Sequence, residues 1–269
     1  MANLKFSEFT EQTDPANVAF VVGYDGATNV RIDPANIGGG GGAGLFEENA
    51  TGGVGSTQRV GTAGNATGGS STVSGGRYNS ASGYFATVSG GYSNEAYGST
   101  TSIGGGYSNY TQPNNSTIAG GYNNTVSGVY GTVAGGKQHN ASGSSSFVGG
   151  GAYSAASGSY SVVGGGTFSV ASGYGSVVMG GSSNTASGGY SVIGTGFYNN
   201  AAASYSSILG GSNNSTSTFA NSHILGSYIT SDRADTTFVQ NLSIKSIPTS
   251  AAGLPSGSVW SNGGILNIV

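Results

Sequence analysis

A fifteen-residue ruler runs through most of this chain. Val73, Val88, Ile103, Ile118, Val133, Val148, Val163, Val178, Ile193 and Ile208 are ten consecutive β-branched residues at one fixed stride. Three positions after each comes a glycine, from Gly76 and Gly91 through Gly166 and Gly181 to Gly211, without exception. Glycine also stands two positions after the mark in nine of the ten units, Thr195 being the exception. A small residue follows at eight positions, usually alanine (Ala81, Ala96, Ala156, Ala171), with Thr111, Val126 and Thr216 as variants. Self-similarity this strict implies a repeat architecture before any other feature is weighed.

Fifteen residues are too few for a helix pair, and the units are rich in Gly, Ser, Thr, Val and Tyr, which are poor helix formers. Each unit is therefore expected to be one coil of a parallel β-solenoid, two short strands joined by tight turns, with glycine supplying the turn conformations. Coils stacked in register turn every ruler position into a column with a spacing of ~4.8 Å, so ten coils span on the order of 50 Å. The expected fold is all-β.

The ruler also divides the chain. Residues 1–37 carry five of the ten acidic side chains, and "NVAFVVGY", "DGATN" and "VRI" suggest a β-hairpin turning at Asp25 and Gly26. Residues 38–44, "GGGGGAG", have the composition of a flexible linker, so 1–37 is expected to be a separate docking module. Residues 45–70 are glycine-rich but off the ruler, with Gln58 where Val or Ile is due, and are expected to cap the first coil. The repeats occupy 71–226. At their far end the ruler slips, with His223 on the next mark and Ile224 one residue late. Residues 227–269 are expected to form a C-terminal β cap module, with a strand-like "TTFVQNLSIKSI" and a hairpin around Asn262 and Gly263.

The residues just before each mark bear on assembly. They run Thr72, Thr87, Ser102, Thr117, Thr132, then Phe147, Val162, Val177, Val192 and Ser207. Neighbouring strand residues face opposite sides, so from Phe147 to Val192 both faces of this strand are apolar. One face fills the coil. The other calls either for a partner, of which a second copy of the chain is the simplest, or for a larger coil interior that takes in both columns.

"SVVGGGTFSVASGYGSVVMGGSSNTASGGYSVIG" resembles the head repeats of YadA-like trimeric adhesins over residues 71–226. That resemblance implies a left-handed parallel β-roll assembled as a homotrimer, with Phe147, Val162, Val177 and Val192 candidates for the trimer seam. The chain departs from the surface adhesins in showing no signal peptide, heptad stalk or membrane-anchor barrel, and its start, "MANLKFSEFTEQTD", has acids where a signal needs a basic flank. Its terminal segments look like the flanking modules of bacteriophage tail-fibre and other virion appendage proteins. The expectation is a virion structural protein, a tail fibre or head fibre docked to the tail or capsid through its N-terminus, whose distal part can meet a host surface glycan or protein. Other readings are the head of a bacterial surface adhesin, a tailspike depolymerase, and an ice-binding solenoid suggested by the threonine column.

Chemistry is sparse. Between residues 71 and 212 the only charged side chains are Arg77, Glu95 and Lys137. Glycan hydrolysis needs two facing carboxylates, so no catalytic residues are assigned and no enzyme is expected. His139 and His223 lack acidic or cysteine neighbours at ligand spacing, the chain has no cysteine, and no metal or cofactor is expected. A net charge of −3 and the lack of an eighteen-residue apolar run speak against nucleic acid and against membrane insertion. Tyrosine is the remaining surface feature. Tyr92, Tyr107 and Tyr122 share one ruler position, and Tyr130, Tyr160, Tyr190 and Tyr205 another, as candidate contacts for a glycan or protein receptor. The same rings can instead pack across a trimer seam or shield the sheet.

Overall fold

The computed structural model describes residues 64–243, 247–262 and 265–269, together with four strands nearer the N-terminus. These are β1 (Phe20–Tyr24), β2 (Asn29–Ile32), β3 (Phe46–Glu48) and β4 (Thr57–Arg59). The proposed linker 38–44 and the turn at Asp25 and Gly26 lie outside the described residues.

The repeats form an all-β parallel solenoid of about twelve turns, without a helix among the described residues. Twenty two-residue strands, β5 (Asn65–Ala66) to β24 (Ser207–Ile208), alternate between two sheets. One sheet stacks the ruler strands, and its pairs are offset by fifteen residues, as in Val162↔Val177 and Val163↔Val178. The other stacks the alanine strands in the same way, as in Ala156↔Ala171. A third line of single parallel bridges runs from Arg77↔Tyr92 to Phe197↔Ser212. Each coil thus repeats the one below, and a residue type at one mark becomes a column.

The core follows from this registry. All ten ruler residues are fully buried, as is the column opposite them, from Ala66 and Ala81 to Ala201. A branched aliphatic residue in each layer faces a small one, which is what so narrow a coil has room for. The exceptions are compensated by their immediate neighbours. Where valine replaces alanine at Val126, the residue two before the mark is Gly131, where an added Cβ would lie 2.6 Å from a Val126 methyl. Where threonine stands in the alanine column, its hydroxyl bonds a buried serine: Thr111 pairs with Ser116 of its own coil, and Thr216 with Ser206 of the coil before it at 3.0 Å.

The ladder continues beyond Ile208. Strand β25 (His223–Leu225) pairs with it one residue out of step, Ile208↔Ile224, and β26 (Thr237–Val239) restores the phase through Ile224↔Phe238. The 16- and 14-residue steps sum to two strides, so Phe238 returns to the ruler and packs on the core beside Ile229. At the other end β4 pairs in register, Gln58↔Val73, and β3 folds antiparallel onto it. The terminal hairpins are β1 with β2, and β27 (Val259–Asn262) with β28 (Ile265–Ile268).

Candidate functional site

Two kinds of outward column survive as candidates for function, one apolar and one aromatic. Phe147, Val162, Val177 and Val192 are paired neighbours on the outer face of the ruler sheet and form an unbroken strip. The three valines are half-buried and Phe147 is exposed in the single chain. Two further side chains widen the strip: Met179 and Leu209, 64% and 58% exposed, each lie one residue after a mark and so on the same outward face. Sequence reasoning missed them because glycine, alanine or serine fills that column elsewhere. For Met179 the signal was a long apolar residue two places after the apolar Val177; Leu209 follows Ser207 and is marked only by its own length.

The tyrosines line the corners between sheets. Tyr92, Tyr107 and Tyr122 stack nearly parallel, with centroids 5.1 and 5.3 Å apart. At that separation rings overlap by their faces, so edges and phenol hydroxyls meet the solvent, and a sugar can lie flat only at the ends of the stack. The stack is longer than the ruler position implies. Tyr78 packs edge-on below it, Lys137 lies above with its ammonium 5.8 Å from the Tyr122 centroid and 5.3 Å from that of Tyr153, and Tyr153 stacks on Phe168. A hydrogen bond with the Tyr153 phenol holds the Lys137 ammonium above its ordinary pKa.

Tyr160, Tyr190 and Tyr205 line the other corner, with Tyr130 two coils below Tyr160 in the same column. Gly175 would leave a gap, but the neighbouring Tyr174 fills it, 5.4 Å edge-on to both Tyr160 and Tyr190. Tyr190 stacks on Tyr205. The two aromatic columns do not come together into one patch, and the valine strip is a third, separate feature.

The backbone beneath the rings is informative. Tyr130, Tyr160, Tyr190 and Tyr205 all have φ between 56° and 59°, the left-handed region. A bulky side chain there costs of order 1 kcal/mol that asparagine or glycine largely avoids. Asn115 occupies the same corner position one coil before Tyr130, with φ 56°. Replacing Tyr130 by asparagine is therefore expected to leave thermal stability unchanged or raise it by up to about 1 kcal/mol. A clear fall in melting temperature would show instead that the ring is there for packing.

Acid–base chemistry is scarce on these surfaces. Glu95 lies outward on the alanine sheet near Tyr97, whose hydroxyl is pushed above its ordinary pKa by burial and then by the Glu95 charge. Asp232 is paired with Arg233 at 2.8 Å in the open, and that hydrogen bond lowers its pKa. Among the described residues no three His, Cys, Asp or Glu side chains gather as a metal site would require. In comparison with known proteins, the chain matches no family model and no curated protein.

Proposed function

We propose that this chain is one subunit of a homotrimeric virion appendage, a tail fibre or head fibre of YadA-like head-repeat type that acts by rigid reach. The observation that carries the reading is the apolar strip from Phe147 to Val192 on the outer face of the ruler sheet. A solvent-facing column of this length suits burial against identical chains in the same axial register. The sparse carboxylates of the shaft favour a non-enzymatic role over a depolymerase. The terminal segments, with their likeness to phage fibre modules, favour a particle over a cell surface. Threefold symmetry would present each tyrosine column three times, so that weak contacts gain from effective concentration.

Two measurements test this. In sedimentation, the purified protein is expected at three times the 26.2 kDa chain mass. Val177→Asp, which places a charge on the strip without touching the coil interior, is expected to shift it to single chains that keep their β signature. A parent that sediments as a single chain would sink the trimer. Electron microscopy of particles carrying a label at the N-terminus tests the appendage reading. Labels at the base of a protruding fibre support it, and absence from the particle overturns it.

A further inference from the structure

Behind the first turn of each coil runs a buried polar ladder. Asn79, Asn94, Asn109 and Asn124 lie six residues after successive marks, each fully or almost fully buried. In this run each side-chain Oδ1 from Asn79 to Asn124 accepts the backbone N–H of the residue above at 3.0 Å. Each Nδ2 donates to a carbonyl of its own turn and to one in the next coil, as Asn124 does to Gly120 and Gly136. The ladder resumes with Asn184, Asn199 and Asn214. Between the two runs stand His139, Ser154 and Ser169.

His139 is 1% exposed. Its Nδ1 accepts the Ser154 N–H at 3.2 Å, which places the proton of the neutral ring on Nε2. That Nε2 has no hydrogen-bond partner, although the Gly151 carbonyl lies on its side of the turn. The next link is weak too, with Ser154 Oγ receiving the Ser169 N–H at 3.3 Å. We propose that the turn at His139 is an acid-operated joint: a proton taken from solvent by Nδ1 replaces its bond to the Ser154 amide with two opposed donors, and the stack opens between the coils of His139 and Ser154.

The surroundings offer the imidazolium no counter-charge. The turn below, 120–125, contributes Tyr122 as its titratable group, and the turn above, 150–155, contributes Tyr153. The ring's own turn contributes Lys137, a like charge. The core residues of these coils, Val126, Val133, Ala141 and Val148, are aliphatic. Glu95 is three coils away. Burial accordingly pushes the imidazole below its ordinary pKa. The sign follows: the folded ring is neutral and the opened ring protonates near 6.5, so the stability of the joint is intact above that pH and is lost as pH falls toward the lower folded value. Each pH unit in that window raises the open fraction by up to about tenfold.

The test is amide hydrogen exchange on the full-length protein between pH 7 and pH 5, corrected for intrinsic rates, in the parent and in His139→Asn and His139→Ser. Both replacements are residues that neighbouring coils already carry at this position, and His223 remains as an internal control. In the parent, protection of the Lys137, Asn140 and Ser154 amides, which cross this interface, is expected to fall up to about tenfold from pH 6 to pH 5, while amides from 185 to 215 hold. Neither variant should show that step, and His139→Asn should exceed the parent at pH 5. Parallel loss in parent and variants, or a loss uniform along the rod, would overturn the proposal.

Discussion

Replacing Gly166 by alanine will disrupt the rod, while the same change at Gly165 will leave it standing. Gly166 has φ +95°, a conformation that L side chains rarely adopt, and an added Cβ would lie 2.0 Å from the Gly181 carbonyl oxygen of the next coil. That oxygen belongs to backbone and accepts the Thr167 N–H at 3.0 Å, so it cannot withdraw without breaking the ladder. Strain and collision together are expected to cost more than about 3 kcal/mol.

At Gly165 the nearest atom to an added Cβ is the Gly150 oxygen at 3.9 Å, an ordinary contact, and the backbone is not left-handed. Thr195 already occupies the equivalent place thirty residues on, and the coil there is regular. Gly165→Ala is therefore expected to change stability by less than about 0.5 kcal/mol. Chemical unfolding followed by far-ultraviolet circular dichroism separates the two cases. Equal losses at both positions would show that the turn senses the pair of glycines and not the stacking of carbonyl over Cα.

This contrast marks where the sequence was legible. The stride of fifteen determined which residues fill the core and which lie outside it, because parallel stacking turns every period into a column. The same stride placed Phe147, Val162, Val177 and Val192 on one outward line. It did not separate Gly165 from Gly166, since both read as turn glycines and the difference lies in the sign of φ and the height of the next carbonyl. It did not reveal the continuation through β25 and β26 either. There the coil between Ile208 and Ile224 absorbs one extra residue, and the next gives it back, so a strict ruler stops matching while the hydrogen-bonded ladder goes on. Tyr174 escaped notice for a related reason: its ring fills a gap in a column to which its backbone does not belong.

The second large effect is expected in the buried asparagine column. Asn109 donates from Nδ2 to Gly105 at 2.9 Å, to Gly121 at 3.0 Å and to Asn94 Oδ1 at 3.0 Å, and its Oδ1 receives the backbone and side-chain N–H groups of Asn124. Alanine would leave the buried Asn124 amide without an acceptor and a gap where the side chain stood. The expected loss is about 2–4 kcal/mol, since an orphaned buried donor carries nearly its whole desolvation cost. Asn109→Ser should lose less, because the rod already uses serine in this way at Ser154, through a longer bond of 3.3 Å. Asn109→Asp should lose most at neutral pH, as an isosteric carboxylate would turn an acceptor, buried and charged, toward two carbonyls. Unfolding midpoints in the order Ser above Ala above Asp would bear this out. Three variants within about 0.5 kcal/mol of the parent would show that the ladder is a passive consequence of stacking and not one of its causes.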